Sequence, residues 1–160
     1  MCANLTLKPE EKSHRRFLRD LYCTSRDYEM LHVSMSTKEK QVFLRQQFAL
    51  QQKYFNKTYP AASRNIICFD GRAIGRLYTD FNSVSKQLHL FDITLQREWR
   101  NRGIGSYFIQ QLKQQATKLE ADITLYVHMT NPAHHYYLKH GFACVRSEQQ
   151  HYLMQWQQPQ

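Results

Sequence analysis

Along residues 87–127 the spacing of apolar side chains changes from two to four and back to two. Residues 87–95 read as a strand. Ile104, Phe108, Leu112 and Ala116 then recur at every fourth position, with Ile109 and Leu119 beside them, and Ile123, Leu125 and Val127 alternate again. A strand, an amphipathic helix and a second strand in succession make a crossover, and crossovers join parallel strands with a right-handed turn. The first strand gives way to the helix through Arg100-Asn101-Arg102-Gly103-Ile104-Gly105-Ser106. The fold must therefore hold at least one parallel pair, with a glycine-bearing turn at the mouth of its helix.

The segments before this crossover read differently. Leu5 and Leu7 alternate with polar residues as a short strand. Pro9, Glu10 and Glu11 then open a helix with Phe17, Leu18, Leu21 and Tyr22 on its apolar face. Ser36-Thr37-Lys38-Glu39 has the form of a capping box, and the helix it opens ends before Pro60. Residues 65–69 form a strand, Asp70-Gly71 a hairpin turn, and 73–81 the returning strand, with Gly75 a candidate bulge. With 87–95 these make an antiparallel meander. After the crossover, Asn131-Pro132 opens a short helix that Gly141 closes. Strands over 142–145 and 152–156 complete the order β-α-α-β-β-β-α-β-α-β-β. The expected class is α+β (an α/β three-layer arrangement): a mixed, mostly antiparallel sheet with flanking helices. Nothing reads as a repeat or a linker, so one domain is expected over 1–156, with a disordered tail over 157–160.

Apolar residues make up 42% of the 160, and aromatics 13%, enough for one core. No apolar run approaches the roughly 20 residues of a membrane span, and the first residues lack a secretory pattern. A cytoplasmic chain with no membrane partner is the expectation. The net charge of +9 suits nucleic acid, an acidic protein or a polyanionic cofactor. The cations are scattered, save for Arg97, Arg100 and Arg102, so no nucleic-acid partner is expected. Cys68 and Cys144 lie in apolar stretches and read as free buried thiols. His134 and His135 point apart on a helix, and His140 has no carboxylate or cysteine beside it, so all three read as solvated and no metal is expected.

The 100–106 turn carries the chemistry. Glycines let backbone approach a ligand closely. The first N–H groups of a helix lack partners within it and attract anions, so a pyrophosphate fits. A P-loop would need Lys-Ser/Thr after its last glycine, and a dinucleotide fingerprint would need three glycines. Neither is present. A glycine-rich helix start with surface arginines is the plainer alternative.

Arg100-x-x-Gly103-x-Gly105 resembles the Arg/Gln-x-x-Gly-x-Gly/Ala motif of the GNAT superfamily of N-acetyltransferases. Asn131-Pro132-Ala133, Tyr137 and Gly141-Phe142 resemble its second signature, and the order of elements is similar. The resemblance implies a sheet that splays where two parallel strands separate, with acetyl-CoA as cosubstrate in the gap. It implies that pantetheine pairs with backbone near Ile93 and Leu95. The pyrophosphate would rest on Arg100, Asn101, Arg102, Gly103, Ile104, Gly105 and Ser106. Asn131 would contact pantetheine, and Tyr137 would protonate the departing thiolate. Asn131 is equally a helix N-cap, and Tyr137 could simply pack. Tyr136 points about 100° away from Tyr137 and is the weaker candidate.

Amine acetylation needs a neutral amine, and a lysine-like amine of pKa ~10.4 is only about 0.1% neutral at pH 7.4. A general base is therefore required. Asp92, in an otherwise apolar strand, and His128, at the end of the next parallel strand, are the candidates; a structural role is open for each. The resemblance implies that a backbone N–H near Leu95 would hold the oxyanion. Arg76 and Tyr78 share a strand face with Asp80 and are candidates for acceptor binding, with a salt-bridge role open for Arg76. The resulting expectation is transfer of acetyl from acetyl-CoA to a primary amine of a small molecule or peptide by direct attack, in a monomer or homodimer. A non-catalytic acyl-CoA sensor on the same fold is the alternative.

Overall fold

The computed structural model describes residues 2–160. Seven strands form one mixed sheet in the order β1-β2-β3-β4-β5-β7-β6. They are β1 (Leu5–Pro9), β2 (Ser63–Phe69), β3 (Arg72–Asn82), β4 (Gln87–Leu95), β5 (Asp122–His128), β6 (Ala143–Glu148) and β7 (His151–Trp156). Four α-helices accompany them: α1 (Arg15–Ser25), α2 (Thr37–Thr58), α3 (Ile104–Lys118) and α4 (Ala133–Lys139). The expected class and element order hold. The chain divides into two compact units, Met1–Leu77 with Thr94–Arg100, and Tyr78–Ile93 with Asn101–Gln160.

In the first unit, α1 and α2 bury one face each. Leu18, Tyr22, Phe48, Ile66 and Cys68 form a core cluster, with Tyr22 and Phe48 rings 5.6 Å apart. Ser36 caps α2 as its sequence requires: its side chain accepts from Glu39 N, and Glu39 returns a carboxylate to Ser36 N. Asp70 and Gly71 both take positive φ, 49° and 79°, the geometry of a two-residue hairpin whose twist matches its strands. Pro9 departs from expectation. It ends β1 opposite Asn65, and the helix begins only at Arg15, after a 3-10 turn over Lys12–His14. β1 is an edge strand, where a residue without N–H is tolerated.

Gly75 is needed for space. A Cβ there would collide with the Thr94 carbonyl oxygen and the Leu95 side chain of β4. Gly75→Ala should therefore lose about 3 kcal/mol of stability, lowering Tm by about 6–12 °C. A thermal melt indistinguishable from the native protein's would show that this approach is looser than it looks.

In the second unit, α3 buries Ile104, Phe108, Ile109, Leu112 and Ala116. The fourfold apolar recurrence is thus the core-facing stripe. β4 and β5 pair in parallel from Gln87↔Asp122 to Leu90↔Leu125. Beyond that β4 continues to Leu95, half-buried throughout, while β5 pairs with β7 as far as His128↔His151. Cys144 corrects the reading of two buried thiols: Cys68 is buried, but Cys144 is exposed on β6, every residue of which is exposed. Residues 157–160 carry no regular structure, and the Gln158 amide donates to Asp122 Oδ1 at 2.9 Å.

Candidate active site

The turn between β4 and α3 is built by two left-handed residues. Asn101 has φ 59° and Gly103 φ 81°. Asparagine and glycine are the types that take this conformation cheaply. The first helical bond of α3 runs from Tyr107 N to Gly103 O at 3.0 Å. The N–H groups of Ile104, Gly105 and Ser106 precede it and have no acceptor within the helix. Left-handed and helical residues in sequence turn consecutive N–H groups toward one spot, which favours an anion. Arg102 is exposed beside the turn. Arg100 folds back instead, and its Nε donates to the Leu95 carbonyl at 3.0 Å. That bond ties the start of the turn to the end of β4.

The other side of the turn is covered by α4. A Cβ on Gly105 would lie 3.0 Å from the Tyr136 hydroxyl, so glycine here admits the tyrosine. Ser106 Oγ lies 3.3 Å from that hydroxyl and 3.2 Å from His140 Nε2. Lys113, two turns along α3, donates to the His140 carbonyl. Lys113 was not singled out from the sequence, where Tyr136 reads only as the weaker candidate beside Tyr137 and His140 as solvated. The signal was available: Tyr136 on α4 and His140 just past its end are four apart, and Ser106 and Lys113 are seven apart on α3, so each pair falls on one side of its helix. His140, read as solvated, is held by Ser106. His134 and His135 do not point apart, since their ring centres are 3.8 Å apart. No cluster of three metal-binding side chains occurs among the described residues.

Asn131 Oδ1 accepts from Ala133 N at 2.9 Å and its carbonyl from His134 N at 3.2 Å, so it shapes the entry to α4. Pro132 sits just before the helix, one residue earlier than its expected first position. Tyr137 is half-buried, its ring 5.6 Å from that of Phe142. Burial pushes its phenol far above the usual value of 10, and the charges of Asp92 and Tyr136 add to the shift. The phenol therefore keeps its proton at neutral pH. Asp92 is half-buried on β4, close enough for its charge to act on Tyr137. His128 engages Thr130 and His151. Its Nδ1 lies 2.8 Å from Thr130 Oγ1 and accepts from Thr130 N at 3.2 Å. With Nδ1 accepting, the neutral ring carries its proton on Nε2, and the lone pair a base would use is already occupied. Ile93 and Leu95 are half-buried on β4 past the last pair with β5. Arg76 is buried, with Nη2 donating to Gln51 Oε1 at 3.1 Å and the guanidinium 5.9 Å from the Tyr22 ring centre. Tyr78 is buried too, at 1% exposure.

A parallel pair that parts ahead of an anion-attracting helix start is the frame of an acyltransferase that takes its acyl group from a nucleotide-bearing thioester. Residues 25–142 match the model of the Acetyltransferase (GNAT) family, and the chain belongs to that family of acetyl-CoA-dependent acyltransferases. The match begins well upstream of the two motifs and takes in both. No curated protein sequence matches significantly. Among solved structures, a PaiA N-acetyltransferase from Thermoplasma acidophilum in complex with coenzyme A has a TM-score of 0.72 at 15% identity, covering 96% of this chain and 98% of that one. A spermidine N-acetyltransferase from Vibrio cholerae, in complex with CoA and spermine, has a TM-score of 0.63 at 18% identity, covering 96% and 94%. The ribosomal L7/L12 alpha-N-protein acetyltransferase RimL has 0.62 at 16%, covering 95% and 88%. At these identities the likeness is one of fold. No helix among the described residues is long and apolar enough to cross a membrane.

Proposed function

We propose that this chain transfers the acetyl group of acetyl-CoA to a primary amine of a small molecule or peptide by direct attack, in the cytoplasm. The observation that carries the reading is the 100–106 turn, where two left-handed residues and three leading amides of α3 make a cradle suited to a pyrophosphate. The parting of β4 from β5 after Leu90 supports it, because the β4 backbone near Ile93 and Leu95 then suits an extended pantetheine arm. Asn131 would flank that arm.

The bound thioester supplies an activated acetyl group; the chain's residues do the rest. Asp92, directly or through water, takes a proton from the incoming ammonium, and is favoured over His128 because the Nδ1 of that imidazole is occupied. A backbone N–H near Leu95 holds the oxyanion of the tetrahedral intermediate. The intermediate loses the second proton of its nitrogen to solvent and collapses to the amide as the carbon–sulfur bond breaks, while Tyr137, still protonated, donates to the departing sulfur and is then reprotonated from solvent. Arg76 and Tyr78 are buried, so we give them a part in shaping the acceptor side from within.

A panel of amines, from polyamines to peptide N-termini, should include at least one that releases free thiol from acetyl-CoA well above the rate of hydrolysis. Tight acetyl-CoA binding with no amine accepted across a broad panel would favour the non-catalytic acyl-CoA sensor.

A further inference from the structure

α3 and α4 are clasped at the anion turn. Ser106 Oγ meets both the Tyr136 hydroxyl and His140 Nε2, and Lys113 holds the His140 carbonyl. The clasp places an imidazole one side chain away from an amide of the turn, since Ser106 contributes the last of the three leading N–H groups of α3. Nothing in the proposed acetyl transfer uses that imidazole.

We propose that His140 is a proton-linked positioning residue for the cofactor phosphates, acting through the Ser106 hydroxyl. The inference rests on the reading of the 100–106 turn as the pyrophosphate site. In the free protein the imidazole is neutral: burial lowers its affinity for a proton, and the Lys113 ammonium lowers it further. The groups that face it are Lys113 from α3 and Tyr136 from α4, whose ring centre is 4.5 Å from that of His140. β7 contributes the neutral Trp156, whose ring lies 5.6 Å from the Lys113 ammonium. A pyrophosphate on the turn brings negative charge within reach of the ring and favours the imidazolium. One proton then comes from solvent to the ring. The N–H on Nε2 donates to Ser106 Oγ, which frees the serine proton for a phosphate oxygen. Tyr136 bonds the same oxygen and keeps the hydroxyl in line.

The bound-state pKa of His140 lies above its depressed free-state value. The extra affinity is fully present below the free-state pKa and is lost as pH rises through the bound-state pKa. Cofactor binding should therefore tighten as pH falls from about 8 toward 6, by several-fold, with net proton uptake.

Titration calorimetry tests this with 3′-dephospho-CoA as the probe. That ligand lacks the phosphomonoester, whose own ionisation near pH 6 would otherwise mimic the effect. The native protein, titrated near pH 7 in two buffers of different ionisation enthalpy, should take up a measurable fraction of a proton. His140→Gln, whose amide can still bond Ser106 but cannot be protonated, should lose the uptake and the pH dependence together. Ser106→Ala, which removes the bridge and leaves the imidazole, should lose them as well. Equal uptake in native protein and both variants overturns the inference, as does native binding with no uptake; in both cases the phosphate-site reading stands. Absence of native binding to both acetyl-CoA and the probe overturns that reading and this inference together.

Discussion

Gly103→Glu is expected to weaken acetyl-CoA binding by about 100-fold or more, a loss of about 2.8 kcal/mol by calorimetry. Two effects add. Gly103 sits at φ 81°, where a side chain costs roughly 1–2 kcal/mol. The added carboxylate would also lie at the cradle proposed for the pyrophosphate, where negative charge repels. Space is not the cause, because a Cβ at this position meets nothing within 4 Å. Gly103→Ala therefore serves as the control. It carries the backbone strain without the charge and should lose about tenfold at most. Native-like affinity in the glutamate variant would remove the pyrophosphate from this turn.

The second large effect is on turnover. Tyr137→Phe should lower kcat by about 100-fold, the low end of what a positioned acid contributes. KM for acetyl-CoA should change little, because the ring and its packing on Phe142 remain. The Tyr137 phenol is pushed far above 10 by burial, with Asp92 and Tyr136 adding to it. A group that must stay protonated, with its pKa raised, loses function only as pH climbs through that raised value. Native turnover should then show no alkaline fall assignable to Tyr137 below about pH 10. Equal turnover in the phenylalanine variant would retire Tyr137 as the acid.

Elements whose signals are local were legible in the residues themselves. The capping box at Ser36 and Glu39, the Asp70-Gly71 turn and the apolar stripe of α3 each rest on neighbours in sequence, and each appears as read. The β6–β7 turn was not legible. Gln149 and Gln150 take φ 48° and 65°, a conformation that asparagine and glycine usually signal. Two glutamines give no such sign, so β6 was drawn three residues short. Pro9 misled because its preference for a helix start competes with its tolerance at a sheet edge, and only the pairing with Asn65 decides between them. At the candidate site, the turn was visible because Gly103 and Gly105 lie close together in a motif. The clasp of Ser106 by Tyr136 and His140 was not, because it joins residues 30 and 34 positions apart. Likewise, the engagement of His128 with Thr130 is a matter of ring orientation, which no spacing encodes.

The place of β7 in the sheet has a consequence for how the chain is made. It follows β5 and β6 in synthesis yet lies between them, paired with both. Until it emerges, β5 has an open backbone edge on that side and β6 has no partner for its ladder. Such edges recruit other chains. A nascent chain that has already built α3 and the anion turn therefore passes through an interval in which its half-made sheet is adhesive. The last strand works as an inserted keystone, and cleavage just before it would open the sheet from within.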